Sequence, residues 1–155
     1  MRLRLIAALV VGIVAGAVIQ GAAFGGTAAK LRHPTTVHVI EHALTDAVVD
    51  TGKTGDSSGD LLTFHNPVFD AGDATRVGRD QGQCVRIIRG VSWECTWTTF
   101  LPGGHITVEG PFFDTRNSVV AVTGGTGIYR NARGAMLLLS RAGGTKFDFV
   151  FRLVP

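Results

Sequence analysis

The sequence is poor in the residues and patterns that usually announce a mechanism. Charged residues make up 17% of its 155 positions, against 45% hydrophobic. That balance excludes intrinsic disorder, because there is ample apolar surface to bury. Beyond the first 20 or so residues no uncharged apolar run exceeds about a dozen, which excludes a polytopic helical membrane protein. No HExxH or CxxC pattern occurs, and the GxSxG string at Gly55–Gly59 (GDSSG) lies in a polar, glycine-rich stretch that opens no helix, so it is no nucleophile elbow; the signatures of HExxH zinc peptidases, CxxC thiol oxidoreductases and α/β-hydrolases are missing. Its few serines (Ser57, Ser58, Ser92, Ser118 and Ser140) sit in no recognisable triad context. A net charge of +3 offers no strong nucleic-acid footprint. Helical periodicity is absent too: after residue 30 it is never sustained beyond two turns.

What is present begins with a targeting pattern. Met1-Arg2-Leu3-Arg4 is a short basic region, Leu5 to Ile19 is uncharged and apolar, and small residues follow. This is the tripartite form of a secretory signal over residues 1–29. The alternative is an uncleaved anchor, since residues 5–24 are just long enough to span a bilayer. Either form places the domain at 30–155 outside the cytoplasm, secreted or in the cell envelope. Without 1–29, 13 basic residues face 12 acidic ones and the net charge falls to +1.

The remainder reads as short strands between Gly, Asp, Asn and Pro clusters. They are expected over 35–46, 60–69, 83–89, 94–101, 105–113, 118–123, 134–140 and 146–154, with 48–59 a polar glycine-rich linker. The last alternates cleanly, with Phe147, Phe149, Phe151 and Leu153 on one face. Eight strands with short connections predict an all-β, eight-stranded antiparallel barrel. Such a barrel is just wide enough to be filled or to hold one small ligand.

Cys84 and Cys95 lie on consecutive strands, five or six residues either side of a turn near Gly90, so they should face each other. In an exported chain they are expected to form a disulfide; a free, cavity-facing Cys84 thiol is the alternative. The histidines predict no metal site: on a strand His38 and His42 would stand roughly 13–14 Å apart. Gly124-Gly125-Thr126-Gly127 reads as a tight turn rather than a phosphate loop. Glu41 is one of three glutamates and shares a strand face with Val37 and Val39. Periodicity alone does not decide whether that face points in or out.

Four segments, in order, carry a family resemblance. Gly59–Asn66 (GDLLTFHN) resembles a GDL-x-x-F-x-N strand, and Val77-Gly78 with Gly82-Gln83-Cys84-Val85 a VG…G-x-C-V segment. Gly104–Pro111 (GHITVEGP) and Ala121–Ile128 (AVTGGTGI) are similar to GHISVQGP and AVTGGSGI. These are motifs of the allene oxide cyclase family. Tyr129–Gly134 is closer to the related plant dirigent proteins. The resemblance implies a calycin-type barrel with an apolar cavity, and an isomerase or cyclase that shapes its substrate and needs no cofactor. It implies that Asn66 holds a water on the substrate oxygen, that Glu41 stabilises developing charge, and that Phe64, Cys84 and Phe112 line the cavity. Phe112 and Ala43 stand where the family has a tyrosine and a second polar ligand. Three functions remain open on these grounds: an isomerase or cyclase for a small hydrophobic ligand, a dirigent-like or carrier barrel without acid–base chemistry, and a structural envelope barrel. Homo-oligomers occur in the related families, so one is possible here.

Overall fold

The computed structural model describes residues 35–154. The expected signal at 1–29 and the anchor at 5–24 lie outside the described residues. Among the described residues no helix is long and apolar enough to cross a membrane.

Ten strand segments form one sheet: β1 (Thr36–His42), β2 (Ala47–Val49), β3 (Leu61–Phe64), β4 (Pro67–Asp70), β5 (Arg76–Ile88), β6 (Ser92–Leu101), β7 (Gly104–Phe113), β8 (Ser118–Gly125), β9 (Gly134–Arg141) and β10 (Lys146–Leu153). Two strand positions are interrupted. β1 and β2 pair with β4 and β3 respectively, and β3 and β4 both pair with β5. Counted by position, eight antiparallel strands run round the barrel in sequence order, and β10 closes it against β1. The expected architecture is therefore the observed one. Closure removes most of the exposed edge that an open sheet would present.

Several boundaries differ from the sequence reading, among them the end of β1, which stops at His42 rather than at residue 46. The expected 60–69 strand is split at His65-Asn66. Pro67, which has no N–H to give a ladder, opens the second half. The expected 48–59 linker contributes Val48 and Val49 to β2, and its remainder folds onto Asp60, whose carboxylate accepts from Thr51 N (3.1 Å) and Ser57 N (2.7 Å). β5 begins seven residues earlier than expected. Its inner face there carries Gly78 and Gly82 in place of apolar side chains, so alternation is invisible. Gly82 is required by packing: a Cβ there would lie 2.3 Å from Trp97 Cβ and 2.7 Å from Thr96 O.

The inner faces follow the alternation. On β6, Trp93, Cys95, Trp97, Thr99 and Leu101 are buried. On β10, Phe149, Phe151 and Leu153 are buried and Phe147 is partly so. Each large buried side chain contributes roughly 1.5–3 kcal/mol of hydrophobic stabilisation. Cys84 and Cys95 are direct cross-strand partners. They form a disulfide, with Cα atoms 4.0 Å apart, which is the bond an oxidising compartment preserves.

Closing an 11-residue separation restricts the unfolded chain. The Cys84→Ala/Cys95→Ala double variant is expected to lose roughly 3 kcal/mol in urea denaturation. A loss below about 1 kcal/mol would mean that the barrel wall holds its register without the bond.

Candidate functional site

Register places the polar group of the site. Val37, Val39 and Glu41 face inward on β1, with Val39 and Glu41 each 5% exposed. The outward face carries His38 and His42 instead. His38 Nε2 lies 2.6 Å from Asp148 Oδ1, and His42 Nε2 lies 2.5 Å from Asp73 Oδ1. Among the described residues no group of three or more His, Cys, Asp or Glu is placed to hold a metal.

The interior is hollow on one side of the barrel's middle. A cavity of about 50 Å³, by the room it leaves for water centres, is lined by Glu41, Asp46, Leu62, Phe64, Cys84, Cys95, Trp97, Phe112, Leu138, Phe147 and Phe149. That exceeds the roughly 10–15 Å³ one water needs by the same measure. On β6, β9 and β10 the lining stops at Trp97, Leu138 and Phe149. Beyond them Leu101, Met136, Phe151 and Leu153 are buried and fill the other half. The rings pack edge to face: Phe112 and Phe147 have centroids 5.9 Å apart, and Phe64 and Trp97 6.3 Å. Trp97 Nε1 is buried without a hydrogen-bond partner.

Asn66 sits behind the cavity wall, 1% exposed, at the break between β3 and β4. Its Nδ2 donates to Glu41 Oε1 and to Asp46 Oδ1, both at 2.8 Å. Its Oδ1 accepts from Leu44 N and Thr45 N at 2.9 Å and from Thr45 Oγ1 at 3.1 Å. Both N–H groups and both lone-pair directions are engaged. Asn66 therefore spans the break in β1–β2 and holds Glu41 in place. It is not among the lining residues.

The deepest carboxyl is Asp80, wholly buried on β5. Its Oδ1 accepts from Asn66 N at 3.1 Å. Its Oδ2 is buried without a hydrogen-bond partner, and its carboxyl is a close neighbour of the Glu41 carboxyl. Burial pushes Asp80 up to about 9, aided by the neighbouring Glu41 charge. Burial also pushes Glu41 up to about 7; the hydrogen bonds from Asn66 and Asp80 restrain that rise, and Asp46 adds to it. Near neutrality Asp80 is a proton-holding donor, and Glu41 is poised to give or take a proton.

Of the residues singled out from the sequence, Glu41, Phe64, Cys84 and Phe112 lie on the cavity wall, with Cys84 in its disulfide. Asp46, Asp80 and Trp97 were not anticipated. Asp80 had a signal, since counting back by twos from Cys84 passes Gly82 and reaches it.

The barrel itself is shared with known proteins. The sequence model described as allene oxide cyclase matches residues 41–153. The chain belongs to the allene oxide cyclase family. Solved structures extend the likeness in shape. A pyocyanin demethylase is 27% identical with a TM-score of 0.66, covering 77% of this chain and 99% of its own. A pterocarpan synthase dirigent protein is 17% identical with a TM-score of 0.62, covering 75% and 81%. An exo-specific intermolecular Diels–Alderase is 14% identical with a TM-score of 0.60, covering 76% and 96%. The latter two share the barrel fold with this member of the allene oxide cyclase family.

The paired carboxyls have a consequence for stability. Both native values lie above those of the unfolded chain, so the folded state holds protons that the unfolded state releases. Their stabilising contribution is full below about pH 4 and falls as pH rises through about 7 and 9. Asp80→Asn keeps a donor beside Glu41 and removes one titration. Its denaturation midpoint is expected to fall less steeply than the wild type's between pH 5 and 9. Parallel slopes would mean that Asp80 holds no extra proton in the folded state.

Proposed function

We propose that this barrel is an exported enzyme that binds a small apolar, ring-sized substrate and catalyses an isomerisation or cyclisation in which Glu41 acts by charge and proton transfer. The observation that carries the reading is the buried Glu41 carboxyl, backed by Asp80 and facing a cavity walled mainly by aromatic rings, two leucines and a disulfide. A buried acid or base poised near neutrality is what proton-transfer catalysis requires. In apolar surroundings its charge also acts strongly on a substrate that ionises.

The roles divide by position. Glu41 touches the substrate, takes a proton from one of its atoms and returns it to another, or stabilises positive charge while a ring closes. Asp80 donates its hydrogen to Glu41 whenever Glu41 is ionised. Asn66 is a positioning residue, which fixes the Glu41 carboxylate through Nδ2 and the strand break through Oδ1. Phe64, Phe112, Trp97 and the Cys84–Cys95 bridge shape the substrate. The names of the structural neighbours, a demethylase, a pterocarpan synthase and a Diels–Alderase, accord with work on small molecules. The disulfide accords with a place outside the cytoplasm.

Native mass spectrometry of protein purified without detergent is expected to reveal a co-purifying small apolar mass. Glu41→Gln is expected to retain that mass and to turn the compound over roughly 100-fold more slowly or worse. Wild-type activity should depend on a group near pH 7. Wild-type turnover in Glu41→Gln would reduce the barrel to a carrier. A wild-type cavity that takes up no apolar compound would overturn the reading altogether.

A further inference from the structure

The hollow half of the barrel ends in connections with a surface chemistry of their own, at residues 43–46, 50–60, 89–91, 114–117 and 142–145. Exposed apolar side chains gather beside them. Val49, Leu61 and Val85 are neighbours on adjoining strands, and the strip runs on to Ile87, Ile88 and Val91 at the β5–β6 turn. The ladder register slips between Arg86 and Ile88, and such a bulge re-aims side chains. Ile87 and Ile88 are consecutive, so regular alternation would turn one inward, yet they are 50% and 54% exposed. At the filled end, among the described residues, Val154 is the one large apolar side chain exposed to this degree. A contiguous apolar patch on one end of a domain marks an interaction surface.

The charges among these turns choose the partner. Their acids are answered by the chain itself. Arg86 lies 2.7 Å from Asp56 and 2.6 Å from Asp114. Asp46 accepts from Asn66, Asp50 from Gly55 N, and Asp60 from Thr51 N and Ser57 N. The cations Lys53, Arg89 and Arg116 are exposed, and among the described residues none of them is in an ion pair. Arg89 sits between Ile88 and Val91 at the tip, and Arg116 stacks 3.8 Å over the Phe113 ring. Glu94, exposed beside Val85, stands on the flank and not among these turns. Apolar side chains projecting between unpaired cations suit the headgroup region of an anionic bilayer, where the side chains reach the acyl boundary and the cations meet phosphates. A second copy laid on the same turns would bring the same cations and no free acid to meet them.

We propose that the cavity end of the barrel rests on an anionic lipid surface, with the β5–β6 turn seated among the headgroups and the cavity opening toward the bilayer. An apolar guest then reaches the cavity from the lipid without crossing water. This goes beyond the catalytic reading and does not depend on the chemistry of Glu41.

Flotation of the full chain with phosphatidylcholine vesicles, with and without phosphatidylglycerol, tests it. Binding is expected to be at least about tenfold tighter to the mixed vesicles and to weaken as salt rises. Ile87→Ser/Ile88→Ser and, separately, Arg89→Gln/Arg116→Gln should each weaken binding to mixed vesicles about tenfold or more, with the wild-type unfolding midpoint retained. Val154→Ser, at the filled end, should change nothing. The apolar residues 5–24 would hold either vesicle alike. Binding without lipid preference, or unmoved by both double variants, would therefore overturn the proposal, as would an equal loss in Val154→Ser or no binding by the wild type. A wild type that sediments as a dimer without lipid, becomes monomeric in Ile87→Ser/Ile88→Ser and binds vesicles no better than that variant would assign the face to a second copy and overturn it too. None of these outcomes bears on turnover by Glu41, which its own variant tests.

Discussion

The side chain of Asn66 ties the two interrupted strand positions of the barrel together. A strand that stops leaves backbone N–H groups without ladder partners. Leu44 and Thr45 are at such a stop, and Asn66 Oδ1 accepts from both. The same amide then has two N–H bonds left, which go to Glu41 and Asp46. The bridging of the gap and the orientation of the carboxylates follow from one planar group with two donors and two acceptor directions, while Asp80 accepts from the backbone N–H of the same residue. An aspartate in its place would have no N–H to give, and an alanine would leave both the break and the carboxylates unsupported.

Two buried carboxyls in contact are an expensive arrangement for a small domain. Apolar residues of similar size would pack against the Val68 and Thr99 neighbourhood with no proton to hold. Their presence beside a hollow part of the interior is the sort of local inconsistency that marks a functional site. The aromatic lining intensifies it, since rings exclude water and let the charge act at full strength.

The legible parts of this molecule are those governed by period two. Strands β6 to β10 declare themselves through Trp93, Cys95 and Trp97 or through Phe147, Phe149 and Phe151, and the Cys84–Cys95 pairing follows from counting to the turn. Glu41 was ambiguous because both faces of β1 are covered: Ile40 on the outer face is as buried as Val39 and Glu41 on the inner one. Its direction became readable only through the family resemblance. The split of β1 from β2 was beyond reach, because it depends on an amide contributed from 20 residues away. Asp80 was hidden by its neighbours. Glycines 78 and 82 keep the inner face of β5 free of apolar side chains, so a strand interior resembles a polar turn.

The filled half of the barrel imposes a traffic rule on the hollow half. Leu101, Ile106, Met136, Phe151 and Leu153 stopper the interior beyond the cavity, so the barrel is a cup rather than a tube. Whatever enters must leave by the same rim, and two molecules cannot pass in a space this small. Any exchange of guests would then be strict, with departure of one preceding arrival of the next. A guest held too tightly by the rings would set the pace of the whole cycle.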